Sequence, residues 1–373
     1  EAYGIETVLV FNKIDTFDDA TLENPVYTPG SDDAGSTVTL TMTVTSNNAC
    51  TAQTATANYT VTVNPIPVAY TPLNQTVCNS GTTAEIILTS DTNGTTFDWT
   101  NSDDSIGLAA SGSGNIPSFT GDNTVTSTIT VTPTANGCAG SQVTFTYTVT
   151  PIPTAEITYP ALLCTSSSSE VVTQTGQTDG VYSSTNGLTL DAATGEINPS
   201  TSTPGDYTVT YTFVSDVDAI SVAPSQSVNS LCVNSSQNVG ESFKATSDSY
   251  LTQIDVNILS VATAGTATLN VYGDDTLSGS EIASQSVIIA DTTDVGLKSF
   301  RIIPAVQLTP GQTYSFKITS PDGLDAQFTI DSTNPYPDGS AYGIISGTPT
   351  ESTGDDLYFV VHAGCMDTTT VDV

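Results

Sequence analysis

Apolar and polar residues alternate with period two along much of this chain, and a 3.6-residue helical repeat is absent. Val38-Thr39-Leu40-Thr41-Met42-Thr43-Val44, Tyr59-Thr60-Val61-Thr62-Val63, Thr144-Phe145-Thr146-Tyr147-Thr148-Val149 and Tyr207-Thr208-Val209-Thr210-Tyr211 are such runs. Each reads as a strand with one buried and one wet face. Thr fills many of the wet positions, and its branched Cβ suits a pleated surface better than a helix. The pattern therefore predicts an all-β fold.

Two of these strands end in near-identical linkers, Val63-Asn64-Pro65-Ile66-Pro67-Val68 and Val149-Thr150-Pro151-Ile152-Pro153-Thr154. Proline pairs cannot donate to a ladder and stiffen the chain toward polyproline II, so they end one sandwich and aim the next. Their separation of roughly 85 residues matches one immunoglobulin-like sandwich. The expected modules are an incomplete one over 1–64, a complete one over 65–150 and a third over 151–219. A turn and a cysteine precede the last strand of the first two, at Asn47-Asn48-Ala49-Cys50 and Ala135-Asn136-Gly137-Cys138. The same element returns as His362-Ala363-Gly364-Cys365, before the alternating Thr368-Thr369-Thr370-Val371-Asp372-Val373. Residues 364–373 are thus expected to form a terminal strand, and the chain to be a window on a longer tandem array.

Between 220 and 363 the strand candidates lengthen and internal Pro-x-Pro linkers disappear. Leu251–Ile258, Ala267–Tyr272, Lys298–Ile302, Thr313–Ile318 and Asp356–Val361 suit one larger sandwich, and roughly 140 residues with this strand count fit a jelly roll.

Composition narrows the function. The chain has 373 residues, 37% of them apolar, and five Lys+Arg against 39 Asp+Glu give a net charge of −34. Such a surface repels phosphate backbones and excludes nucleic acid as a partner. Apolar runs all fall short of a membrane span, and six cysteines argue for an oxidising, extracellular setting. Catalytic motifs are missing: there is no Gly-x-Ser-x-Gly elbow, His-Glu-x-x-His helix or phosphate loop. The single histidine, His362, reads as a packed residue at a strand end. A non-enzymatic role is expected.

Several stretches carry a resemblance: Asn74-Gln75-Thr76-Val77-Cys78, Phe97-Asp98-Trp99-Thr100-Asn101, Gly107 through Pro117, Thr132 through Cys138, Tyr182-Ser183-Ser184-Thr185, and Gly195 through Ser200. Over roughly the first 220 residues the chain resembles the Ig-like and PKD-like repeats of giant cell-surface proteins in Bacteroidota, including gliding-motility adhesins exported by the type IX system. The resemblance implies export, a surface address and an adhesive, stalk or filament role, with copies of the chain or further repeats as partners. Strand addition between subunits is one way to join them. A competing expectation is a carbohydrate-binding or spacer region of a secreted polysaccharide-degrading enzyme. The resemblance also implies O-glycosylation at Asp-Ser/Thr motifs, at Ser105, Thr276, Thr292, Ser332 and Thr368.

Three further sets of site residues follow. Cys78 and Cys138 flank Trp99, the order of the cystine packed on tryptophan in immunoglobulin domains, and are expected to bridge. Cys232 with Cys365 would tie the ends of the jelly roll, leaving Cys50 and Cys164 unassigned. Acidic turns place Asp274, Asp275, Asp322 and Asp325 where calcium finds hard oxygen ligands. The loop with Asn334, Tyr336, Asp338 and Tyr342 offers tyrosines among polar groups, either as a surface for polysaccharide or as side chains packed over a sheet edge.

Overall fold

The computed structural model describes residues 5–9, 16–17, 26–46, 54–160, 162–215, 217–222, 228–277, 279–332, 336, 339–345, 348–352 and 355–373. Among these the regular elements are strands, apart from 3-10 turns at Ser31–Asp33, Asp104–Ile106 and Pro199–Thr201. The protein is an all-β chain of sandwiches, as the alternation predicts. At its start, Thr37–Ser46 pairs on one side with Ile5–Leu9 and on the other with Thr54–Thr62.

The second module builds its main sheet in the order Gln75–Cys78, Val143–Thr150, Thr126–Ala135, Thr96–Asn101, Ser111–Ser113. The first pair is parallel and the rest antiparallel. Inward positions of these alternating strands meet in a core of Trp99, Ile129, Val131, Phe145 and Tyr147, closed by Ile106, Leu108 and Ile116 from the opposite layer. A tight turn joins Thr126–Ala135 to Cys138–Ala139. Its two central residues, Asn136 and Gly137, both have positive φ, 49° and 81°, which Asn and Gly adopt at little cost in a hairpin.

The third module repeats the three central strands of this sheet, while Ala155–Thr158 pairs apart from them with Thr173–Gly176. Let β1 be Thr208–Val214, β2 Val217–Val222, β3 Phe359–Gly364 and β4 Met366–Asp372. β1 pairs with Val181–Ser184 on one side and with β4 on the other. These three strands correspond in order to Thr126–Ala135, Thr96–Asn101 and Val143–Thr150 of the second module. Val371 and Val373 pack against the core of Tyr182, Val209, Tyr211 and Phe213. The terminal strand expected at 364–373 is present, and its pairing makes it the last strand of the third module, which runs beyond the expected limit of 219. Where the second module makes a two-residue turn, the third sends the chain out at Ser215 and takes it back at Cys365.

The excursion is the jelly-roll-like sandwich. One sheet runs β2, β3, Ser249–Thr263, Asp325–Asp331, Val228–Val233, with Gly296–Leu308 and Asp356–Leu357 attached. The other runs Glu281–Ile289, Gly265–Tyr272, Thr313–Thr319, Gln237–Lys244, Ala341–Ile345, Thr348–Ser352. Between them lie Phe243, Leu251, Ile254, Phe300, Phe316, Phe328 and Phe359, all buried.

Because β1 pairs with β4 and β2 with β3, the two chain crossings form one ribbon through both sandwiches. Ser215 N–H donates to Cys365 O at 2.9 Å, and Cys365 N–H donates to Ser215 Oγ at 2.9 Å. Gly364 permits this approach, since a Cβ there would sit 1.4 Å from Ser215 O. Gly364→Val is expected to open the crossing and cost about 2–4 kcal/mol, in the range of a severe backbone clash. A denaturant titration followed by far-UV circular dichroism checks it.

Candidate functional site

The residues that bring the sandwiches together converge on Cys365. Its Sγ is bonded to Cys78, with Cα atoms 5.5 Å apart at a sequence separation of 287. Thr150 Oγ1 lies 3.2 Å from Cys365 Sγ. Beside the disulfide the second module pairs with the jelly roll: Thr83 bridges Ser247, Ala84 N–H donates to Thr246 O and Asp248 N–H to Thr82 O, both at 2.7 Å. Ser247 Oγ donates to Thr76 O at 2.8 Å. On the far side of the ribbon, Arg301 donates to Asp179 O at 2.9 Å and joins the jelly roll to the third module.

Both expected disulfides are corrected by this geometry. Cys78 stands opposite Thr150, whereas Cys138 follows the strand end that lies beside Val143. Seven residues of strand separate those ends, about 23 Å at ~3.3 Å per residue, far beyond the reach of a cystine. Cys232 sits on Val228–Val233, three strand positions from β3 in the same sheet, or about 14 Å. Cys138, Cys164 and Cys232 are free thiols, and Cys50 lies outside the described residues. The order Cys78, Trp99, Cys138 suggested an intramodule bridge because sequence order does not reveal which end of a sheet a cysteine occupies.

The tyrosines of the expected binding loop are corrected as well. Tyr336 is buried, its hydroxyl accepting from Lys244 N–H at 3.0 Å and its ring edge-on to Phe359. Tyr342 is buried and donates from its hydroxyl to Asp275 O at 2.7 Å. Both pack where a stacking surface needs exposed rings, while Asn334 and Asp338 lie outside the described residues.

Two of the carboxylates expected to hold calcium are hydrogen-bonded within the protein. Asp322 accepts from Thr266 N–H and Oγ1, both at 2.7 Å, and Asp274 from Thr276 N–H and Oγ1, both at 2.9 Å. The Thr266 hydroxyl, then its N–H, holds Asp322 below the usual carboxylate range. Asp274 serves its own turn, and Asp322 ties its turn to the start of Gly265–Tyr272. Neither Asp275 nor Asp325 joins them in a shared site, and no group of three or more His, Cys, Asp or Glu is arranged to hold a metal among the described residues. Ser105, Thr276, Thr292, Ser332 and Thr368 are all exposed. His362 is partly buried, its Nε2 2.8 Å from Asp255 Oδ2.

What sequence reading missed is an acidic pocket in the jelly-roll core. Glu241, Asp331 and Asp356 are buried, and Asp331 pairs directly with Asp356 across the strands. Glu241 accepts from Ser242 and Leu357 N–H, and Asp356 Oδ2 accepts from Tyr336 N–H at 2.8 Å. Burial pushes Glu241 well above the usual carboxylate range against the pull of Leu357 N–H, and Asp356 raises it further. Burial, with Asp331 and Asp355 nearby, pushes Asp356 up to about 6. One signal was present: alternation with Val239 and Phe243 puts Glu241 on the core face.

No family model and no curated protein matches the chain. Solved structures show weak likeness. A protocadherin gamma B7 extracellular segment is 13% identical over 57% of this chain and 63% of its own length, TM-score 0.30. The insect immune protein hemolin is 14% identical over 56% and 64%, TM-score 0.22. A SusE-like surface-located polysaccharide-binding protein from the Bacteroides thetaiotaomicron heparin utilisation locus is 12% identical over 95% and 81%, TM-score 0.20. The chain spans less than two thirds of the length of the first two. At these scores the fold rests on the strand pairings above.

Two outcomes follow. Cys78→Ser should destabilise the protein by at most about 5–6 kcal/mol, the chain-entropy figure for so long a loop, read as a loss in denaturant midpoint. The second concerns pH. A buried carboxyl with a raised pKa holds its proton in the folded state after the unfolded state has released it, so stability falls as pH rises from about 4 to 6. Carboxylates with depressed values, such as Asp322, act in the opposite sense and at lower pH. Asp356→Asn should raise stability at pH 8 by up to about 3 kcal/mol and leave it unchanged at pH 4, checked by melting curves at both.

Proposed function

We propose that the chain is a non-enzymatic segment of an extracellular surface protein, an adhesin or stalk built to transmit tension through the Cys78–Cys365 bridge. The observation that carries this reading is the position of the disulfide. Tension applied upstream of Cys78 and at Val373 follows the shortest covalent path, through the two sulfurs. Residues 79–364, which include most of the second module, most of the third and the whole jelly roll, lie off that path. They stay folded while the chain is loaded.

Three features support the reading. A structural disulfide fits an oxidising compartment outside the cell. Proline linkers at Pro65-Ile66-Pro67 and Pro151-Ile152-Pro153 stiffen the approaches to the second and third modules. The net charge of −34 keeps a hydroxyl-rich surface soluble and repels nonspecific contacts. Self-association by strand addition loses its expected donor, because β4 completes the third module of its own chain.

Single-molecule pulling by the chain ends tests the proposal. Under non-reducing conditions, the contour gained on unfolding should fall short of that in reductant by about 100 nm, the span of the 287 bridged residues at ~3.6 Å each. Equal gains with and without reductant would sink the reading.

A further inference from the structure

Two grooves flank the bridge between the second module and the jelly roll. The one on the Tyr70 side holds about 440 Å³, and Tyr70, Leu73, Gln75, Glu85, Ile87 and Lys244 are among its lining residues. Tyr70 is 60% exposed and Ile87 56%, so the groove offers a ring and an aliphatic surface to solvent beside polar groups from both sandwiches.

Two of those polar groups lack partners among the described residues. Gln75 is nine-tenths buried, and its Oε1 accepts no hydrogen bond. That oxygen is shielded from solvent, so Gln75 forms part of the wall and offers a ligand no acceptor. Lys244 is the second. Among the other described cations, Lys298 pairs with Asp294, Arg301 donates to Asp179 O, and Lys317 lies 5.2 Å from the centroid of the Tyr272 ring. The Lys244 ammonium has no ion pair or hydrogen bond to a described residue, in a chain with 39 acidic residues. Glu85 adds an exposed carboxylate, one oxygen of which accepts from Asn115 Nδ2 at 3.1 Å.

We infer that this groove binds a neutral oligosaccharide. A sugar presents hydroxyls that donate to Glu85 while accepting from Lys244, and its C–H face packs on the exposed Tyr70 ring. Other ligand classes fit less well. An acidic glycan gains Lys244 but meets Glu85 and the field of a strongly negative protein. An extended peptide needs free backbone groups at an edge, yet Ala84 N–H and Thr82 O are already taken by Thr246 and Asp248. A wholly apolar ligand would desolvate Lys244 and Glu85 without pairing them. The site needs both sandwiches, since Tyr70, Gln75 and Glu85 come from the second module and Lys244 from the jelly roll; the disulfide and the Thr83–Ser247 bridge set their spacing.

The test is isothermal titration of the intact, oxidised chain with cellohexaose, xylohexaose and mannohexaose, against hexagalacturonate and a heparin-derived hexasaccharide. At least one neutral hexasaccharide should bind with Kd of about 10–1000 µM. Tyr70→Ala and Lys244→Met should each weaken it about tenfold with melting temperature unchanged. Gln75→Met is the control for the wall: affinity should stay within about twofold while the melting temperature holds or rises, because an unpaired buried acceptor has been removed. No binding by any neutral probe, binding only by the acidic ones, or affinity indifferent to both Tyr70→Ala and Lys244→Met would overturn the inference. None of these outcomes bears on the tension reading, which the pulling measurement tests by itself.

Discussion

At Cys365 four constraints act on a few residues. The returning strand pairs with the departing one through Ser215, Gly364 supplies the clearance, Thr150 approaches the sulfur, and Cys78 bonds to it. A sandwich inserted into a hairpin of another could swing on two single strands. Here both crossings are hydrogen-bonded to each other across the junction, so bending one bends both. The disulfide then fixes the second module to that ribbon, and the Thr83–Ser247 pairing aligns it against the jelly roll. The relative placement of three bodies depends on this point.

Insertion at that position is physically permissive. A tight hairpin brings its two strand ends within one inter-strand spacing. A domain whose own first and last strands are adjacent, as β2 and β3 are, can replace the turn without disturbing the host sheet. The second module shows the unbroken version, with Asn136 and Gly137 in the turn, and the third shows the same sheet order with the turn replaced. The host loses no ladder, because β4 returns in register with β1 from Asp372 opposite Thr208 to Met366 opposite Val214.

The same junction creates the structure's unusual surfaces. Where the second module meets the jelly roll, polar side chains from both face a groove that neither would form alone. The buried acids of the jelly roll are a different matter: they sit where strand pairing forces Asp331 against Asp356, and protonation relieves that repulsion.

Sequence alone determined the strands. Period-two alternation of Thr with aliphatic and aromatic residues fixes which face is buried, and it held at Thr126–Ala135, Val143–Thr150 and Thr208–Val214 because side-chain direction is a local property of extended backbone. The prolines marked linkers for the same local reason, and the turn-and-cysteine element before a last strand was legible three times. What that third copy belonged to was decided by tertiary structure: Gly364-Cys365 continues a module begun some 200 residues earlier, and only the pairing of β1 with β4 shows it. Cystine partners followed the same rule. Cys78 met Cys365 and not Cys138 because the end of a sheet at which a thiol lies is set by strand order and direction, which are global. The tyrosines of the Tyr336 loop and the acids of the calcium turns were correctly seen as chemical groups, but burial and hydrogen bonding, settled only on folding, had already committed them.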